Sequence, residues 1–147
     1  MTISFFSKSE TYCEFSNFAP FPIELDGQSW PSSEHYYQAQ KFTDLALQEK
    51  IRAVKKPVIA KKLAQTHRNE ARADWAEAKD TVMERAVRRK FEQHQSLREL
   101  LKSTGDEVLA EAAPHDYYWG VGADNTGQNR LGLLLMRIRS ELRGEAP

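Results

Sequence analysis

The sequence predicts an α+β fold: a single, predominantly helical domain over residues 1–147, with a small β element near the N-terminus. Three observations carry this expectation. The first thirty residues are aromatic and turn-rich, with a strand–turn–strand pattern. Residues 74–94 repeat apolar side chains at helical spacing. No internal repeat, low-complexity tract or linker divides the chain.

Ile3, Phe5 and Phe6 suggest a short first strand. Pro22-Ile23-Glu24-Leu25, then Asp26-Gly27, then Gln28-Ser29-Trp30 reads as a hairpin, because Asp-Gly suits a tight primed turn. Pro31-Ser32-Ser33 opens a helix whose first free amides a serine oxygen satisfies, and this helix is expected to run to Phe42. A second helix is expected over Leu45–Val54, and Pro57 starts a third that ends near His67. The strongest helical signal covers Asp74–His94, with Trp75, Val82, Met83, Ala86, Val87 and Phe91 on one apolar stripe. Shorter helices are expected over Ser96–Ser103 and Asp106–Ala112. Pro114 forces an irregular stretch, and a last helix is expected over Asn129–Leu142.

Composition narrows the function classes. The 21 basic and 21 acidic residues cancel, so no global field draws the chain to nucleic acid or an anionic membrane. A phosphorylated ligand must meet a local cluster instead. Cys13 is the only cysteine, which excludes an intrachain disulfide and a cysteine-based zinc site. His35, His67, His94 and His115 are scattered without metal-ligand spacing, so no metal and no cofactor are expected. The N-terminus lacks the pattern of a signal peptide, and no apolar run is long enough to span a bilayer. A reducing cytoplasm, with no membrane contact, is the expected location.

Chemistry-bearing residues concentrate first in Glu34-His35-Tyr36-Tyr37-Gln38-Ala39-Gln40-Lys41. At about 100° per residue, Glu34, Gln38 and Lys41 fall within a wedge of about 60°, which Tyr37 extends. On a solvated face this is an ordinary ladder of i, i+3 and i, i+4 pairs. The flanking Trp30, Phe42 and aromatic N-terminus argue that little of the face is free. Burial would raise the Glu34 pKa while Lys41 pulled it down. A desolvated Lys41 would be a better amine nucleophile. Glu34 would suit activation of water or stabilisation of an oxocarbenium-like transition state. Lys41 would suit attack on the aldehyde-level carbon of a ring-opened ribosylamine.

A second concentration is the glycine-bearing segment from Asp116 through Tyr118, Trp119, Gly120, Gly122 and Gly127 to Asn129. Such glycines let backbone amides approach a ligand, and the helix that follows offers its positive N-terminus to an anion. It matches neither a Walker loop nor a dinucleotide fingerprint, and a plain turn is the simpler alternative. Trp119 is placed to stack on a base, or to be a buried tryptophan. A third group, Arg72, Trp75 and Lys79, is spaced to share a helix face and clamp a phosphate beside an aromatic ring. The alternative is a core Trp75 with both cations exposed. Arg85, Arg88, Arg89 and Lys90 read as a solvated face.

Phe15-Ser16-Asn17-Phe18, Trp30-Pro31-Ser32-Ser33-Glu34-His35-Tyr36-Tyr37-Gln38-Ala39-Gln40-Lys41-Phe42, Asp74-Trp75 with Lys79 and Val82-Met83, and Trp119-Gly120 through Asn129-Arg130-Leu131-Gly132 together resemble the YbiA/NADAR family. The motifs stand in family order over nearly the whole chain. The resemblance implies a largely helical α+β fold and hydrolysis of N-glycosidic bonds at an exocyclic amine. Two substrate classes are implied: phosphoribosylamino-pyrimidine intermediates of riboflavin biosynthesis, and ADP-ribosylated guanine in DNA or RNA. The second class brings an ADP-ribosyltransferase toxin as a functional partner. By position, Glu34 matches the family's acid, and Lys41 is the candidate Schiff-base former. Trp75 and Trp119 match its pocket tryptophans. Asn17 and Gln38 would line the pocket, with Phe18, Tyr37, Lys79 and Asp116 as further substrate-binding candidates. The loop carrying Gly120, Gly122 and Asn129 would hold the phosphate end. One position departs from the pattern: Val121 stands where many riboflavin-type members read the aspartate of Trp-Gly-Asp-Gly. The alternative from another class is a non-catalytic module that binds ADP-ribose or a related nucleotide. A pure binder would not need both Glu34 and Lys41 at a sugar carbon.

Overall fold

Asp26 and Gly27 both take positive φ, 55° and 76°, in the computed structural model, which describes residues 1–144. That geometry belongs to the primed hairpin turn that the Asp-Gly pair predicts. The chain runs β1 (Thr2–Phe5), β2 (Ile23–Leu25), β3 (Gln28–Trp30), α1 (Ser33–Ala39), α2 (Leu45–Ala53), α3 (Pro57–Thr66), α4 (Trp75–Gln93), α5 (Gln95–Ser103), β4 (Val108–Glu111) and α6 (Arg130–Leu142). It is an α+β fold dominated by helices. The described residues gather into two compact units, Pro20–Gln93 and Met1–Ala19 together with the chain from His94 onward. No described helix is long and apolar enough to cross a membrane.

In the unit Pro20–Gln93, β2 and β3 form an antiparallel hairpin with Ile23 opposite Trp30. The Trp30 indole N–H donates to Leu25 O at 3.1 Å, and its ring meets Tyr36 edge-on at 5.2 Å. The Tyr36 hydroxyl donates to Asp26 at 2.7 Å, and Arg85 of α4 reaches both Asp26 and that hydroxyl. The turn is therefore tied to two helices by charge-assisted bonds. α1 packs against α2, α3 and α4, and each of its seven residues is buried. Around it lie Ile51, Ala60, Ala64, Met83, Ala86 and Val87, all at most 1% exposed.

Three local expectations change in this unit. α1 ends at Ala39 rather than Phe42, because Lys41 N–H and Phe42 N–H fold back on Gln38 O and Ala39 O in tight turns. The next helix then starts afresh on Asp44, whose Oδ1 accepts from Ala46 and Leu47. Arg72 precedes α4 and does not share its face with Trp75 and Lys79. Its guanidinium grips Asp74 through two bonds, at 2.6 and 2.9 Å. Lys90 is not solvated: it is 1% exposed, with Nζ 5.7 Å from the Phe21 ring centre and 6.0 Å from that of Phe91. It falls on the core side of α4, beside Ala86, Val87 and Phe91.

The other unit contains the fold's largest departure from the sequence expectation. Residues 108–111 form a strand, not part of a helix, and pair in parallel with β1 from Thr2↔Val108 to Phe5↔Glu111. Gly105, at φ 63°, stops the preceding helix α5. Glu, Leu and Ala are good helix formers, but pairing with β1 outweighs that local preference. α6 packs on β4, with Leu131 and Leu135 at 0% exposure. Gly132 permits this approach, since a Cβ there would collide with Leu109 O and the Asn129 side chain.

Candidate active site

The placement of α1 begins at its N-terminus. Ser32 Oγ accepts from His35 N–H at 3.2 Å, capping the helix, and lies 2.7 Å from His35 Nδ1. His35 Nε2 lies 2.8 Å from Val54 O, a carbonyl that can only accept, so Nε2 carries the proton. Nδ1 then accepts from the Ser32 hydroxyl. Burial pushes His35 below the usual imidazole range, with the Val54 bond opposing it, and the ring is held neutral.

Glu34 and Gln38 lie one turn apart on this fixed helix. Gln38 Nε2 donates to Glu34 Oε2 at 2.6 Å, and the two residues are 3% and 6% exposed, Gln38 the less. Gln38 Oε1 is buried and meets no hydrogen-bond donor among the described residues. Lys41 follows just past the helix end. Its Nζ lies 5.5 Å from the Tyr37 ring centre and 5.9 Å from that of Trp75. Those rings are 5.1 Å apart and inclined at 60°. The Lys41 carbonyl accepts from Arg72 N–H at 2.7 Å, which pins the turn to the start of α4.

Burial lowers the Lys41 pKa most; the Glu34 charge opposes this, while Lys61 and Lys79 push it lower still. The amine therefore loses its proton more readily than a free lysine does. Lys61, on α3, escaped the sequence reading because nothing in its local spacing ties it to Lys41. Only the packing of α3 on α1 brings its charge to bear. Among the residues expected at a site, this unit thus brings together Glu34, Tyr37, Gln38, Lys41 and Trp75, with Lys79 near enough to act on Lys41. A buried carboxyl, an amine of lowered basicity and two aromatic rings can perform acid–base and nucleophilic chemistry on a ring-bearing ligand.

The remaining expected residues belong to the other unit. Asn17 is 7% exposed and Phe18 half-buried, just after a 3-10 turn at Cys13–Phe15. Asp116 Oδ1 accepts from the amides of Tyr118 and Trp119, at 3.0 and 2.8 Å, and so shapes the loop locally. Trp119 is half-buried and meets Tyr118 edge-on at 4.9 Å. Gly120 and Gly122 are buried; Gly122 has φ 73° and lies under the Tyr117 ring. Asn129 uses both ends of its amide on β4, accepting from Glu111 N–H at 3.0 Å and donating to Leu109 O at 2.9 Å.

Several amides of this loop and of the first turn of α6 are spent on backbone carbonyls. Val121, Gly127, Gln128 and Asn129 donate to backbone carbonyls. Arg130 and Leu131, which open α6, donate to Tyr118 O and Trp119 O. The glycines here let the loop fold tightly on itself. Among the described residues no group of three His, Cys, Asp or Glu side chains could hold a metal ion.

A largely helical α+β chain with a buried acid, and a half-buried amine against aromatic rings, defines the class of protein. The model of the NADAR domain family matches residues 4–143, through both units, and the chain belongs to this family. It is 47% identical over 140 residues to N-glycosidase YbiA of Escherichia coli, covering 95% of this chain and 88% of that protein. It is also 42% identical to a riboflavin biosynthesis protein of Vibrio vulnificus, covering 99% of this chain but 40% of that longer protein. The NMR structure of the E. coli protein YbiA superimposes with a TM-score of 0.88 at 46% identity, covering 97% of this chain and 84% of that one.

Proposed function

We propose that this chain is a hydrolase of N-glycosyl bonds that cleaves ribose C1 from an exocyclic amine. The observation that carries this reading is the Glu34–Lys41 pair: a buried carboxyl beside an amine of lowered pKa, against Tyr37 and Trp75. The name of its E. coli relative, N-glycosidase, supports the bond type.

In this mechanism Lys41 attacks C1 of the ring-opened ribosylamine. The C–N bond breaks, its electron pair stays on the departing amine, and a Schiff base forms on Lys41. Water then adds to C1, and the lysine leaves as an amine. Glu34 shuttles the proton that the departing amine gains and that water loses. Direct attack of water on C1, with Glu34 as base, is the simpler route when Lys41 serves only as a charge. Trp75 stacks against the ligand's base, and Lys79 meets its phosphate. Asn17, Phe18, Tyr37, Asp116, Trp119, Gly120 and Gly122 are the further proposed substrate-binding residues.

The substrate we favour is a phosphoribosylamino-pyrimidine intermediate of riboflavin biosynthesis, in keeping with the name of the Vibrio relative. Val121, in place of the aspartate expected there, favours ADP-ribosylated guanine as a second reading. The test is a side-by-side assay of amine release from both. Release from the pyrimidine alone supports the first reading, and release from the guanine adduct alone supports the second. Binding of ADP-ribose with no release from either substrate identifies a non-catalytic module instead.

A further inference from the structure

We propose that Gln38 is a positioning residue that fixes the hydrolytic water, holding it between its own Oε1 and the Glu34 carboxylate. This rests on the hydrolase reading above, and it applies equally to direct hydrolysis and to hydrolysis of a Schiff base, since both need a water at C1.

The amide has only one reasonable orientation while Glu34 is ionised. Nε2 faces Glu34 Oε2 at 2.6 Å; turning the amide over would set two acceptor oxygens against each other. The donor end is therefore committed to the carboxylate, and Oε1 is forced to point elsewhere. It is buried and meets no donor among the described residues. A buried acceptor left unmatched costs about 1–3 kcal/mol. A glutamine used only to support Glu34 would incur that cost without return. A water that donates to Oε1 removes it, as buried waters do for otherwise unmatched polar groups.

Geometry places the same water within reach of the base. Oxygen and nitrogen of one planar amide are about 2.2 Å apart, so Oε1 stands no more than about 4.8 Å from Glu34 Oε2. One water about 2.8 Å from each oxygen spans that distance. Its two hydrogens then point at Gln38 and Glu34, which leaves a lone pair directed away from both. In direct hydrolysis the water oxygen bonds to C1 as the bond from C1 to the leaving nitrogen breaks. On a Schiff base it bonds to C1 as the C=N π pair moves to nitrogen, and the C–N single bond breaks in a later step that passes the hydroxyl proton to the lysine nitrogen. The hydrogen facing Glu34 passes to the carboxylate and on to that nitrogen. The hydrogen facing Gln38 stays on the new hydroxyl as the water adds. Gln38 neither gains nor loses a proton; it sets the direction of attack.

The experiment compares wild type, Gln38→Met and Gln38→Glu on the ribosylamine that wild type cleaves, with thermal melts to establish folding. For Gln38→Met we expect kcat to fall by about 10-fold or more with KM within about 2-fold, because water rather than substrate loses its partner. The acidic limb of the kcat/KM profile should move to higher pH, because the Nε2 donor no longer favours the Glu34 carboxylate. Gln38→Glu retains the shape, but two adjacent carboxyls share a proton, so its acidic limb should move higher still. Loss of melting temperature alone, with kcat and the limb unmoved, would overturn the proposal and leave Gln38 a structural residue. A raised KM with kcat intact would also overturn it, as direct contact with substrate. Absence of amine release by wild type defeats the parent reading instead. A high-resolution crystal structure of the wild-type chain then decides: an ordered oxygen within hydrogen-bond distance of Gln38 Oε1 and Glu34 supports the water site, and its absence overturns it.

Discussion

The Lys41 ammonium lies 5.5 Å from the centre of the Tyr37 ring, on the turn that ends α1. The ring face favours the charged amine by roughly 0.5–2 kcal/mol, depending on desolvation. Burial sets the opposite direction and lowers the Lys41 pKa below the ordinary 10.5, with the Glu34 charge opposing and Lys61 and Lys79 adding to it. The Tyr37 and Trp75 rings thus border an amine of lowered basicity.

That balance gives the first prediction. Borohydride added during turnover should trap a covalent adduct on Lys41, and Lys41→Arg should trap none. Trapping should rise with pH through a midpoint below that of free lysine, because only the neutral amine attacks. Lys79→Gln removes a like charge that pushes the Lys41 pKa down, so its midpoint should move up. Mass spectrometry of the trapped peptide across a pH series reads both effects. No adduct, together with an active Lys41→Ala, would leave direct hydrolysis assisted by Glu34.

Glu34→Gln should lower kcat by about 100-fold or more, the usual scale of lost general acid–base catalysis. Ligand affinity should stay within a modest factor. The substituted amide still offers an oxygen to Gln38 Nε2, so the local hydrogen bond survives. Steady-state kinetics and calorimetric binding separate the two quantities. Wild-type turnover by this variant would remove Glu34 from the mechanism.

The parts of this fold that were legible in the sequence rest on local signals. Asp26-Gly27 forces its turn and Ser32 caps its helix, so each can be read from a few adjacent residues. The spacing of Glu34 and Gln38 places them one turn apart whatever surrounds them. β4 was not legible, because Val108–Glu111 becomes a strand only by pairing with residues about a hundred positions earlier. Lys90 failed for a related reason: a run of basic residues suggests solvent, and only the packed helix turns one of them inward. At the candidate site, spacing brought Glu34 and Lys41 together. It could not reveal Lys61, which comes from a different helix, or the unequal use of the two ends of the Gln38 amide.

His35 predicts how stability depends on pH. Its folded pKa lies below the ordinary 6.5, so well above pH 6.5 the ring is neutral in both states and stability is unaffected by it. As pH falls from 6.5 towards the folded pKa, the unfolded chain takes up a proton that the folded chain refuses. Stability should fall there by at most about 1.4 kcal/mol per pH unit from this group. His35→Gln should flatten that part of the curve while lowering stability at neutral pH, because the ring's bonds to Ser32 and Val54 are lost. Urea unfolding between pH 5 and 8 measures both slopes. Equal slopes in the two proteins would show that His35 is not the group titrating.

Asn129 distinguishes a residue that holds the fold from one that holds the ligand. Its amide accepts from Glu111 N–H and donates to Leu109 O, joining the start of α6 to β4. Asn129→Ala removes both bonds and leaves two strand groups to find other partners. A loss of about 1–3 kcal/mol in unfolding free energy is expected. Asn129→Asp keeps an acceptor for Glu111 N–H but sets a carboxylate oxygen against Leu109 O, so it should be no better tolerated. Asn129 also takes a positive φ of 52°, which asparagine accepts more readily than alanine, adding to the cost of the alanine variant. If both amide groups stay committed to β4, KM for the folded fraction should change little in either variant. A raised KM without loss of stability would show that Asn129 leaves β4 to contact substrate, the role that the family resemblance implies.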